Sequence, residues 1–251
     1  MRTSHRSGQT WGMPKTKKAV PVRGPRKAGP EATRQKILDA AEILFAERGF
    51  HSVSVRDITT AAGVDVALIN YHFGSKQLLF ETVFMRRAEL LNAERLRRLE
   101  AVVQRAKPRA PKVEEIIDAF THPLLDRSAR GGPGWKAYFA LIAQVNNSTE
   151  FGGLMMTRYF DPVVHAFIAA LRRAFPGCDE RELYWSYHFL SGALTLTFAE
   201  TGRIDNLSQG ACRSNDLDSV HERLVPYVAA GFRALCSKSS ATNVRRKRRV
   251  L

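Results

Sequence analysis

Residues 54–73 read SVRDITTAAGVDVALINYHF, and their reading decides the fold. Ser54 with Asp57 three residues on is a capping-box signal: the hydroxyl accepts a free N–H at a helix start, and the carboxylate reaches back. The helix that starts there is expected to end at Ala61 or Ala62. Gly63 and Val64 make a tight turn, and Asp65 can cap a further helix over 66–72. Two short helices joined by a glycine-containing turn form a helix-turn-helix. Ile58, Ala62, Val64 and Ile69 supply a small core under the turn. In such a motif the first helix crosses the phosphate backbone and the second lies in the major groove.

The flanks extend the pattern. Upstream, Ile37, Ala40, Ala41, Leu44 and Phe45 give one apolar helix face, which Arg48, Gly49 and Phe50 close. Downstream, a helix from Ser75 to about residue 99 carries Leu78, Leu79, Val83, Phe84 and Leu91 on one side. The Pro-broken stretch 105–112 separates this unit from helical stretches near 113–126, 135–147, 153–175, 179–202 and 217–236, with a polar loop at 203–216. No run alternates as a strand does, so the expected class is all-α.

At this point the residues resemble a family. The stretches TRQKILDAA (33–41), FAERGF (45–50) and YHFGSK (71–76), in this order and spacing, resemble the DNA-binding domain of TetR-type transcriptional regulators over 33–91. The resemblance implies an all-α homodimer, with one helix-turn-helix per subunit and a larger helical domain that dimerises and binds a small-molecule effector. It implies phosphate contacts for Tyr71, His72 and Lys76, and a base or phosphate contact for Arg56. Ser54, at the start of the first short helix, joins this set. At Lys76 the physics agrees, because free N–H groups at a helix start plus an ammonium attract an anion. Many family members carry Tyr where Asn70 stands, and Lys, Arg or a small polar residue near Val66 and Ala67. Here Val66, Ala67 and Leu68 offer methyl contacts suited to thymine, and Asn70 is the hydrogen-bonding base reader. Residues 31–76 hold five basic and six acidic residues, so the N-terminal tail is expected to add phosphate or minor-groove contacts.

Domain limits follow: a basic tail at 1–30, a DNA-binding unit at 31–91, an effector and dimerisation domain at 92–236 and a second basic tail at 237–251. Three aromatic and Met stripes offer candidate effector contacts. They are Trp135, Tyr138, Phe139 and Ile142; Met155, Arg158 and Tyr159; and Trp185, His188 and Phe189. Leu183, Leu190, Leu194 and Phe198, with Val220, Leu224, Val228 and Phe232, offer a candidate four-helix dimer interface. The C-terminal half is similar to a TetR subgroup that senses fatty acyl or other hydrophobic carboxylic ligands, which implies a small, largely apolar effector. A two-fold dimer would hold two recognition helices about 34 Å apart on a palindrome and act as a repressor.

Composition narrows the alternatives. The chain has 251 residues, and its net charge of +15 sits at its ends. Residues 1–30 carry eight Lys/Arg and 237–251 carry six, both without an acid, while 31–236 hold 25 basic and 24 acidic residues. Both tails are expected to be disordered, and such tails suit nucleic acid through counterion release. Cys178, Cys212 and Cys236 match neither a zinc spacing nor a secreted disulfide framework, so a reducing compartment is expected, with the protein cytoplasmic at the nucleoid. The longest apolar stretch, 188–199, is short of the about 20 residues a membrane span needs. Gly-x-Ser-x-Gly, Walker, His-Glu-x-x-His and Gly-x-Gly-x-x-Gly patterns are absent, so no enzyme, metal ligand set or cofactor is read. The expected partners are double-stranded DNA, a second copy of the chain and the effector.

Overall fold

The computed structural model describes residues 29–149 and 152–248. Its elements are α1 (Pro30–Ser52), α2 (Val55–Ala62), α3 (Ala67–Phe73), α4 (Lys76–Ala106), α5 (Val113–Arg130), α6 (Pro133–Asn146), α7 (Gly152–Ala174), α8 (Glu180–Phe198), α9 (Arg203–Leu207) and α10 (Leu217–Arg248), with no strand among the described residues. The all-α expectation holds.

Local chemistry sets the first boundaries. Gly49 sits at φ 73°, ψ 166°, a conformation outside the helical region, and it breaks α1 near its end. Phe50 then turns back onto Phe45 and Phe80, with ring centroids 6.0 and 5.0 Å away. Gly63 takes the left-handed conformation after α2, and its N–H satisfies the carbonyls of Thr59 and Thr60. Ser75 caps α4 by accepting the Leu78 N–H.

α4 runs 31 residues without a break, about 46 Å at 1.5 Å per residue, straight through the expected boundary at 91/92. Its first turns pack on the helix-turn-helix, and its later turns face α5 and α7. A second bridge lies between α1 and α6, where the Gln144 side-chain amide donates to the Ala46 carbonyl at 2.6 Å. Beside it the Glu42 carboxylate, 2% exposed, takes two hydrogen bonds from Arg87, at 2.5 and 2.7 Å. The Trp135 ring lies 5.0 Å from this guanidinium. A Cβ at Gly134 would press on the Arg87 guanidinium, which would have to shift. The apolar core runs through both domains as one cluster, from Ile37 to Cys236.

Three expectations need correction. The polar loop at 203–216 contains a short helix, α9. The region assigned to a C-terminal tail from 237 continues α10 to Arg248. No Gly or Pro follows Gly231 to interrupt it. Cys178 and Cys236 form a disulfide across 58 residues, joining the α7–α8 turn to α10, with only Cys212 free. Wide spacing carries no pairing information, so the sequence could not reveal this pair. The N-terminal tail up to residue 28 lies outside the described residues, as do 249–251 of the C-terminal tail. No helix among the described residues is long and apolar enough to cross a membrane.

Candidate functional site

The helix-turn-helix is built as its residues dictate. Ser54 N–H donates to the Asp57 carboxylate at 2.7 Å, and Asp57 N–H donates to the Ser54 hydroxyl at 3.1 Å. The bond from the Ser54 hydroxyl to this carboxylate, followed by that from the Ser54 N–H, holds the Asp57 carboxyl below its usual value. The Ser54 hydroxyl also donates to Asp57, so this residue is occupied as a cap. Asp65 caps α3 through the Ala67 N–H at 2.8 Å. Ile58 and Ile69 are fully buried under the turn, and Ala62 and Val64 pack against them.

The outward side of α3 then follows. Val66 is 47% exposed, Tyr71 is 76% exposed, and Ala67 and Asn70 also face solvent. These four form one continuous surface, with Arg56 exposed on α2 nearby in sequence. Leu68 departs from the expectation: it is half-buried and packs on the core. His72 is half-buried, its ring 4.9 Å from that of Tyr71. Lys76 is also half-buried, with its ammonium 4.2 Å from the Phe50 ring centroid. Burial lowers its pKa from the ordinary lysine value.

In the larger domain the two apolar sides of α8 differ in exposure. Leu183, Leu190, Leu194 and Phe198 point inward and are at most 7% exposed. On α10, Leu224, Val228 and Phe232 are buried and Val220 is half-buried. Although mostly buried, Leu190, Val228 and Phe232 line the floor of a groove between α8 and α10. Trp185 and Phe189 instead stand 56% and 61% exposed, with His188 beside them. Leu196 and, on α10, Tyr227 extend that apolar surface. Both stripes of α8 are apolar, so hydrophobic spacing alone cannot say which one faces the core.

An internal cavity of about 50 Å³ lies among α4, α5, α6, α7 and α8. Phe120, Ile142, Met156, Phe160, Leu194 and Phe198 line its apolar part. Of the expected effector contacts only Ile142 reaches it. Trp135, Tyr138, Phe139 and Met155 are buried without lining it, Phe139 being stacked on the cavity wall Phe198 at 4.5 Å; Arg158 is exposed, and Tyr159 is half-buried. Two residues expected at the dimer interface, Leu194 and Phe198, are cavity walls.

Arg95 is the feature that sequence reasoning missed. It lines the cavity at 3% exposure, donates to the Phe120 carbonyl at 2.9 Å and to Asn92 at 3.1 Å, and lies 3.8 Å over the Phe120 ring. No carboxylate pairs with it among the described residues, and burial pulls its pKa down to about 10. A signal existed in the sequence. Ala88, Leu91, Arg95, Leu99 and Val102 occupy one buried stripe of α4, so Arg95 is the charged member of an otherwise apolar face. Tyr187, whose hydroxyl pKa burial raises, with Asn146, Ser191 and Thr195, completes the polar lining.

Comparisons with known proteins agree with this architecture. The family model described as "Bacterial regulatory proteins, tetR family" matches residues 37–83, and "Tetracyclin repressor-like, C-terminal domain" matches 118–231. The transcriptional repressor KstR2 of Rhodococcus jostii is 39% identical over 56 residues, which is 22% of this chain and 28% of that protein. The chain therefore matches little more than a quarter of that relative's length. An uncharacterised helix-turn-helix regulator of Mycobacterium tuberculosis is 28% identical over 166 residues, 65% of this chain and 75% of the relative. Among solved structures, the multidrug efflux pump repressor SmeT of Stenotrophomonas maltophilia superposes with a TM-score of 0.55 at 21% identity, covering 80% of this chain and 90% of that one. The fatty acid degradation regulator FadR of Bacillus halodurans gives 0.52 at 18% identity, covering 80% and 97%. With one family model on the helix-turn-helix and the other on the helical domain behind it, the chain belongs to the TetR family of bacterial transcriptional regulators.

Proposed function

We propose that the chain is a sequence-specific DNA-binding repressor that acts as a homodimer on a palindromic operator and is released by a small, largely apolar carboxylate. The observation that carries the DNA part is the exposed row Val66, Ala67, Asn70 and Tyr71 on a capped recognition helix. Asn70 reads a base edge, the Val66 and Ala67 methyls meet thymine, and Arg56, Tyr71, His72 and Lys76 hold phosphate. Ser54 acts through the helix it caps. The dimer forms through the outer side of α8 and α10, because Trp185, Phe189, Leu196 and Tyr227 leave an apolar patch on a face that a second copy can cover.

The effector part rests on Arg95. An arginine buried without a carboxylate is stabilised by a ligand that brings one. The apolar walls around it suit a hydrocarbon tail, the chemistry named for the structurally similar FadR. A cavity of about 50 Å³ is far below the roughly 300–1,000 Å³ typical of ligand sites. Effector entry must therefore push α4 away from its neighbours. Because α4 continues into the DNA-binding unit, that movement changes the spacing of the two recognition helices. The ligand shifts the population because it fits the opened state and not the closed one.

Selection of duplexes from a random pool by the full chain, at moderate salt with competitor DNA, tests the reading. A two-fold symmetric motif with half-sites about one helical turn apart is expected. Recovery without sequence preference, lost as salt rises, would mean that the basic termini bind and α3 does not read.

A further inference from the structure

The seam between α5 and α10 carries a row of polar contacts. Glu114 pairs with Arg233 near one end, and Arg130 pairs with Asp126 and Asp218 near the other, at 3.1 and 2.6 Å. Between them Asp118 meets no Lys or Arg within 4 Å among the described residues and faces two histidines instead. Asp118 and His122 stand one turn apart on α5, and His221 reaches them from α10. The Asp118 carboxylate oxygen lies 2.8 Å from His221 Nε2, which lies 3.2 Å from His122 Nδ1, and the third side of the triangle is 3.9 Å.

We propose that Asp118, His122 and His221 form a binding site for a divalent transition-metal ion of the Zn²⁺ class, which staples α5 to α10. The geometry carries this. A tetrahedral ion with bonds of about 2.0–2.1 Å separates its ligand atoms by about 3.3–3.4 Å, and the three observed separations straddle that value. Two imidazole nitrogens and one carboxylate oxygen suit zinc and its neighbours, whereas calcium and magnesium prefer all-oxygen sets. The three side chains are 29–44% exposed, so an ion can enter from water and keep a water as its fourth ligand. The ion also supplies the positive charge that Asp118 lacks, while the other acids of the seam, Glu114, Asp126 and Asp218, have arginines. The site is separate from the Arg95 cavity and does not depend on the effector reading.

The test uses the tag-free, metal-stripped full chain, with Co²⁺ as the spectroscopic probe and Zn²⁺ as competitor. The expected result is a saturable visible absorption band at one Co²⁺ per chain, displaced by Zn²⁺. Zn²⁺ at a hundredfold excess over its Kd should raise Tm by about 5 °C. His122→Gln and His221→Gln should each weaken binding by at least about tenfold, and His165→Gln, outside the cluster, should leave it unchanged. In the wild-type chain, Zn²⁺ should move the imidazole proton resonances of His122 and His221 and leave those of His165 and His188 in place, which keeps the test independent of how the variants fold. Absence of saturable binding overturns the proposal. So does binding with full affinity in both variants, or a Zn²⁺ titration in which the His122 and His221 resonances stay still.

Discussion

The two sides of α8 are equally apolar in sequence and do opposite things in space. Leu183, Leu190, Leu194 and Phe198 close the core, the last two as cavity walls, while Trp185, Phe189 and Leu196 stand out in solvent. The difference teaches that hydrophobicity marks a face for burial without saying what buries it. The inner stripe is covered by this chain's own helices. The outer stripe is large, aromatic and uncovered, which is how a surface awaiting a partner looks.

This contrast can be broken by substitution. Phe198→Ala should cost about 3–5 kcal/mol, since it opens a cavity beside an existing one. Thermal unfolding should show a drop in Tm that does not depend on protein concentration. A drop no larger than that of an exposed substitution would remove Phe198 from the core. Phe189→Glu should leave each subunit folded and separate the proposed dimer, because it places a charge on the apolar face of α8 assigned to its interface. Sedimentation velocity should show one slow species with an unchanged helical circular dichroism spectrum. A variant that stays dimeric would place the interface elsewhere.

Glu42→Ala tests the ion pair that joins α1 to α4 within the DNA-binding unit. It leaves Arg87 buried without its carboxylate and should destabilise by about 3 kcal/mol, near the low end for broken buried pairs because Arg87 is 17% exposed. Denaturant unfolding measures it, and a change within about 0.5 kcal/mol would show that the pair bears no load. Arg95→Met should abolish the response of DNA binding to carboxylate effectors while leaving the fold as stable as before or more so, because an unpaired buried charge is replaced by an apolar side chain of similar volume. A retained response would end the carboxylate reading. Ser54→Ala is the smallest change, about 1 kcal/mol for a lost cap. The Asp57 carboxyl is held below its ordinary value of 3.8, so its contribution is present above that pH and lost as pH falls through the lowered folded value. Ser54→Ala should flatten stability across that acid window; an unchanged acid limb would mean that the bond to Ser54 does not set this pKa.

The sequence made some of this legible and left the rest hidden. The helix-turn-helix could be read because its signals are local: Ser54 and Asp57 are three residues apart, Asp65 stands two before Ala67, and Gly63 is the turn. The continuity of α4 past residue 91 is legible too: no Gly or Pro interrupts it, and the helix expected to about residue 99 runs on to Ala106. What stayed hidden depends on three-dimensional phase. Arg95 sits among Glu94, Arg97 and Arg98 in a run that reads as a solvated helix, and only its place on the Leu91–Leu99 stripe of α4 sets it apart. The phase of α8 needed its neighbours, and the disulfide of Cys178 and Cys236 joins residues whose spacing says nothing.

The most direct test of the account is a footprint on a selected operator, comparing the wild-type chain with Phe189→Glu at moderate salt. The account predicts a two-fold symmetric protected site for the wild type, with two half-sites about one helical turn apart, and loss of that protection in the folded monomeric variant. Equal protection by both proteins, or a single unsymmetric site for the wild type, would contradict it.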